Sequence, residues 1–284
     1  MIYKELERIV IENKRNDRST LYIRNLLKEY LQIYVLNYIY TNPKYNKELI
    51  FTGGTCLRLM YGLSRLSEDL DFDYDENIDT QILADRLLNY FQTKYKFDDI
   101  TISLKQKGQQ VLLKFPVLKN LNLAKGNESN MLYLKMDLRM NLSSIYDVQI
   151  TSKSTMNFNF VALHYKLSSL MAGKIAAILT RKRFVGKENK EIIKGRDYYD
   201  LLWFLKKGVK PNLDRISELL GEKVTGDILK EKLDQKIEIL AKKYKNDFES
   251  DLIPLIENID FVPIYIENYV EEYERSVKYL SLMK

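Results

Sequence analysis

LIFTGGTCLRLMYGLSRLSEDLDFDY, residues 49–74, decides the reading of this chain. Its first four residues form a short apolar strand, Gly53 and Gly54 make a turn, and CLRLMYGL continues as a helix. EDLDFDYD then alternates with period two, so Leu70, Phe72 and Tyr74 face one way and Asp69, Asp71 and Asp73 the other. The apolar face pins the register, because a one-residue slip would drive the aspartates into the core.

Outward from this stretch, residues 3–12 and 19–40 predict helices, with Leu26, Leu27, Tyr30, Leu31 and Tyr34 at helical spacing before Pro43 breaks the pattern. Downstream, Thr80 to Tyr95 reads as a helix and ITISLKQKGQQVLLKF as a hairpin turning near Gly108. LYLKMDLRM, residues 132–140, alternates as a strand, and another strand is expected near Tyr146 to Ile150. From about Leu163 the pattern is helical to the end, with breaks at Gly208–Pro211, Gly221, Pro254 and Pro263. The expected fold is α+β: a mixed sheet with flanking helices over residues 1–160, then a helical bundle over 161–284.

Composition narrows the chemistry. The 284 residues include 45 Lys+Arg, 39 Asp+Glu, one cysteine and one histidine. Cys56 alone makes no intrachain disulfide, a zinc site of Cys and His lacks ligands, and any His-dependent triad must use His164. Leu31–Tyr40, the longest apolar run, is far shorter than the roughly 20 residues a membrane helix needs, and the N-terminus carries no signal-peptide core. The expectation is a cytoplasmic protein with no membrane partner. Charge is uneven: residues 65–79 hold seven acids and one base, whereas residues 166–210 hold 12 Lys/Arg and 4 Asp/Glu, a net of +8.

Asp69 and Asp71, side by side on one strand face, repel unless a cation lies between them, and such hard oxygen ligands suit Mg²⁺ shared with substrate phosphates. A charged edge strand that resists aggregation would look the same. Asp137 lies on the polar face of the 132–140 strand; beside Asp69 and Asp71 it could complete a two-metal site. Gly53, Gly54 and Thr55, leading into a helix, form a reasonable phosphate cradle, though a Gly-Gly pair is also an ordinary tight turn. Lys174 interrupts an apolar stripe made by Leu167, Leu170, Met171 and Ile178, so it meets an anion or snorkels to the edge. Asp197 and Asp200 share a helix face with Leu201 and Phe204; Asp197 reads as a site acid or a helix N-terminal acid, and Asp200 as the partner of a nearby base.

Taken together, FTGGTCLR, RLSEDLDFD, KMDLR, MAGKIAAILTR and KGRDYYDLL resemble, in order, the nucleotidyl transferase AbiEii/AbiGii toxin family, related to the MenT toxins within the nucleotidyltransferase-fold superfamily. The resemblance runs from about Leu49 to Leu205. It implies a toxin of a bacterial toxin–antitoxin or phage-abortive system that uses an NTP and Mg²⁺ and moves NMP to an RNA 3′ end, the tRNA acceptor stem in studied relatives. It also implies a cognate antitoxin. Carried over, Gly53, Gly54 and Thr55 become the phosphate turn, Asp69 and Asp71 the metal ligands, Lys174 the triphosphate grip and Asp197, beside Arg196, the last site acid. Arg58 and Arg181 become further phosphate contacts, and Asp137 a third acid. Ser67, two residues before Asp69, is a candidate regulatory site where a phosphate would add nearly two negative charges. The competing functions are NMP transfer to a protein hydroxyl and a non-catalytic nucleotide- or RNA-binding module.

Overall fold

Helix α2 (Thr20–Thr41) is the hub of the first half of the chain: Ser19 caps it by accepting from the Tyr22 amide, and it is buried on most sides. The computed structural model describes residues 2–76, 78–185 and 190–283. The chain divides into two compact units, residues 1–141 with 149–164, and residues 142–148 with 165–284.

In the first unit, α1 (Ile2–Arg15) lays Ile2, Leu6 and Val10, spaced at i, i+4 and i+8, against α2. There follow β1 (Ile50–Thr52), α3 (Gly53–Tyr61), β2 (Leu70–Tyr74), α4 (Thr80–Asn89), β3 (Thr101–Lys105), β4 (Gln110–Pro116), β5 (Met131–Met140), β6 (Val148–Thr155) and β7 (Phe158–Tyr165). Among the described residues these seven strands make one mixed sheet in the order β3-β4-β5-β2-β1-β7-β6. Alternation places Val111, Leu113 and Phe115 of β4 and Leu132, Leu134, Met136 and Leu138 of β5 in the core, where α2 packs on β5. The β3–β4 hairpin turns through Lys107 and Gly108. Residues 158–165, expected to lead into a helix from Leu163, instead form a strand. Phe51 and His164 are parallel register partners, and His164 is buried between the Tyr61 hydroxyl and Thr151 Oγ1.

The second unit is mainly helical: α5 (Leu167–Thr180), α6 (Gly195–Lys206), α7 (Leu213–Leu220), α8 (Gly226–Lys243), α9 (Lys245–Leu252), α10 (Phe261–Glu267) and α11 (Tyr269–Ser276). A short hairpin, β8 (Arg183–Val185) with β9 (Lys190–Ile192), interrupts it where continuous helix was expected. α6 packs on α5, α9 and α11, burying Leu201 and Phe204 with Phe248 and Tyr269, and the Tyr269 hydroxyl donates to the Tyr198 carbonyl.

Candidate active site

The first cluster is built where β1 turns into α3 and runs antiparallel to β2, with Thr52 opposite Asp71. Gly53 has φ +76°, and a Cβ there would stand 2.1 Å from Asp71 Oδ2. Only glycine meets both demands. A Cβ on Gly54 would stand 2.7 Å from Ser67 Oγ and 2.9 Å from the Arg65 guanidinium. The turn is therefore pressed against the acidic segment on both sides. The Thr52 side chain makes no capping hydrogen bond at the α3 N-terminus, and backbone N–H groups at a helix start favour an anion.

The acids are held from behind. Thr55 is buried, and its hydroxyl donates to the Asp69 carbonyl at 2.5 Å. Gln32 Nε2 of α2 donates to the carbonyls of Ser67 at 3.1 Å and Glu68 at 3.0 Å, and Lys28 pairs with Glu68 at 3.0 Å. β2 runs parallel to β5 with Asp71 opposite Asp137, which brings those two carboxylates onto neighbouring strands. Asp137 accepts from Gln110 Nε2 at 2.7 Å and lies 3.5 Å from Arg139. Among the described residues no group of three or more His, Cys, Asp or Glu is gathered to hold a metal, so a cage of Asp69, Asp71 and Asp137 is not preassembled. The hard oxygens of Asp69 and Asp71 beside a glycine cradle do fit Mg²⁺, which takes one or two carboxylates and completes its shell with phosphates and water.

The second cluster belongs to the helical unit. Lys174 of α5 reaches Asp197 Oδ1 and Asp200 Oδ2 of α6, each at 2.8 Å, and Arg181 meets Asp197 Oδ2 at 2.5 Å. Lys174 is thus a half-buried, paired cation within its apolar stripe, and Asp200 has the basic partner expected of it. Burial pushes the Asp197 carboxyl up, but Lys174, Arg181 and Lys194 outweigh it and hold the group well below the ordinary aspartate range. Arg196 sits in the first turn of α6, its backbone amide donating to Asp251.

The family model for the nucleotidyl transferase AbiEii toxin of type IV toxin–antitoxin systems matches residues 35–271. The chain belongs to the AbiEii nucleotidyltransferase toxin family. The chain is similar in fold to MenT4, a nucleotidyltransferase toxin from Mycobacterium tuberculosis H37Rv. The TM-score is 0.56 at 13% identity, covering 99% of this chain and 98% of that one. JHP933 from Helicobacter pylori is 18% identical over 91% of this chain and 95% of its own, with a TM-score of 0.48. No match is found among curated proteins.

Within this AbiEii chain, three residues take roles that the sequence did not suggest. Arg58, expected at phosphate, pairs with Glu29 at 2.9 Å and donates to the carbonyls of Leu63 and Ser64, holding the bend after α3. Ser67 is 7% exposed and lies against Gly54, so a phosphate there requires the 62–69 segment to open. Arg65, 1% exposed beneath the glycine turn, was missed. Its signal was that it is the lone base in a stretch of seven acids.

Proposed function

We propose that this AbiEii-family nucleotidyltransferase moves NMP from an NTP to the 3′ hydroxyl of an RNA, the tRNA acceptor end being the expected target, with pyrophosphate leaving. The observation that carries the reading is the contact of Gly53 with Asp71: one turn presents helix amides for phosphate beside a carboxylate suited to a magnesium-bound nucleotide. The residues that would hold Mg²⁺ are Asp69 and Asp71, with Asp137 a neighbour in register. When bound, the ion supplies charge neutralisation on the phosphates and a lowered pKa at the attacking hydroxyl.

This chain's own groups bind and orient. Gly53 and Gly54 let backbone amides approach the triphosphate. Thr55 acts through Asp69, fixing the strand entry by its hydrogen bond. In the helical unit Asp197 positions Lys174 and Arg181, the two cations that the family resemblance assigns to phosphate. The acceptor oxygen bonds to the α-phosphorus as the bond to the β-phosphate breaks. A cognate antitoxin would restrain this activity in the cell. A phosphate on Ser67 would do so locally, by displacing the turn and adding charge beside the acids; Ser67→Glu is expected to lose transfer, read as labelled product against wild type.

The deciding experiment incubates purified protein with each labelled NTP and total tRNA and reads a denaturing gel. Label that survives protease but not RNase supports RNA as acceptor. Label removed by protease in a lysate assigns a protein hydroxyl instead, and NTP binding without pyrophosphate release assigns a binding module.

A further inference from the structure

The helical unit contains a pocket of about 220 Å³ that borders the Lys174–Asp197–Arg181 network. Arg181, Lys194, Lys236 and Lys243 line it with two acids, Glu191 and Asp197, leaving an excess of positive charge. Asp197 is already engaged by Lys174 and Arg181, and Glu191 accepts from the Tyr244 hydroxyl at 3.5 Å. Burial, then the like charges of Arg196, Lys174 and Arg181, push the Lys194 ammonium down to about 8 against the pull of Asp197. A cation placed at such cost gains from an incoming anion. The dipole of α8 accounts for Lys243 in its last turn but not for Lys236 or Lys194.

The shape favours a strand over a compact triphosphate. Lys236 and Lys243 are two turns apart on one face of α8, about 10.5 Å along its axis at 1.5 Å per residue. A second hollow of about 280 Å³ shares Lys236 and Ile239 with the first and is lined also by Lys232, which pairs with Glu222 at 3.0 Å. A magnesium triphosphate needs carboxylate or water ligands beside its charge, and the two acids here are already partnered. Successive phosphodiesters need only spaced point charges with apolar walls, which Ile178, Ile193 and Ile239 supply.

We propose that the pocket framed by Lys194, Lys236 and Lys243 binds the phosphodiester backbone of a single RNA strand, an assignment that rests on the RNA-acceptor reading above. The test is fluorescence anisotropy with a short labelled single-stranded RNA oligonucleotide over a salt series, using wild type, Lys236→Glu, Lys243→Glu and the double variant. Circular dichroism verifies that each variant is folded, and NTP affinity is measured in parallel. Each substitution should weaken RNA binding and flatten the slope of log affinity against log salt by about 0.7, with NTP affinity unchanged. An unchanged slope in a folded double variant overturns the assignment, as does a loss of NTP affinity equal to the loss for RNA. Should the wild type bind the oligonucleotide in a lysine-dependent way yet transfer nothing to any RNA, the transferase reading falls and the pocket stands. Transfer to RNA with lysine-independent binding does the reverse.

Discussion

Two aspartates in this molecule have been placed in opposite circumstances. Asp71 is pressed against a glycine at the start of α3, with Asp137 as its register neighbour. Asp197 is 4% exposed and gripped by Lys174 and Arg181. The first arrangement keeps a carboxylate beside a phosphate cradle, where an arriving cation would be drawn to it. The second neutralises its carboxylate with the protein's own cations before any ligand arrives. A buried ion network of that kind organises side chains more than it stabilises the fold, because desolvation consumes much of the attraction.

The contrast can be broken experimentally. Asp69→Ala removes a group whose role is toward substrate, so transfer of labelled nucleotide should fall by roughly 10²–10³-fold or more, with thermal stability near wild type. If activity survives at the wild-type rate, the acidic strand is not the site. Asp197→Asn leaves Lys174 with Asp200 alone and takes the shared carboxylate from partly exposed Arg181, and urea unfolding should show a loss of about 1–3 kcal/mol. That carboxyl is held below its unfolded pKa, so its contribution is complete above about pH 4 and lost as pH falls further. Wild type and variant should therefore converge in stability at strongly acid pH, and a constant gap would refute the pairing.

A finer test is Gly53→Ala. A non-glycine residue at φ +76° costs about 1–2 kcal/mol, and the new methyl must push Asp71 aside. Activity should suffer more than stability; equal losses would mean that the turn is only structural. The smallest expected effect concerns pH. Lys194 loses its proton as pH rises through about 8, so RNA affinity should decline several-fold between pH 7 and 9 while Lys194→Gln removes that dependence. The charged groups around it are Arg196 and Asp197 of α6, Lys174 of α5, Arg181 just beyond it, Glu191 of β9, and Lys236 and Lys243 of α8 in the same pocket.

Much of the first cluster was legible because period-two alternation is a local signal. Leu70 and Phe72 are buried while Asp71 and Asp73 are not, and the same holds for Leu134, Met136 and Leu138 against Lys135 and Arg139. The strand β7 was illegible for a matching reason. In FNFVALHYKLSSLM the strand passes into α5 with neither glycine nor proline, and apolar Val161 and Leu163 on its outer face hide in the sequence an alternation that the burial shows. The β8–β9 hairpin has only three residues in each strand, too few to carry an apolar period. Arg58 shows the limit of reading charge by position: its partner Glu29 lies on another helix, and only the tertiary fold brings them together. Lys174 was noticed as an oddity in an apolar stripe, but its double engagement with Asp197 and Asp200 depends on how α5 and α6 pack.

The bond from Thr55 to the Asp69 backbone, together with the abutment of Gly53 on Asp71, makes the bend and the acidic ribbon a single rigid gauge. A donor nucleotide seated too high or too low on the bend would be misaligned with both carboxylates at once, so seating and readiness are checked in the same event.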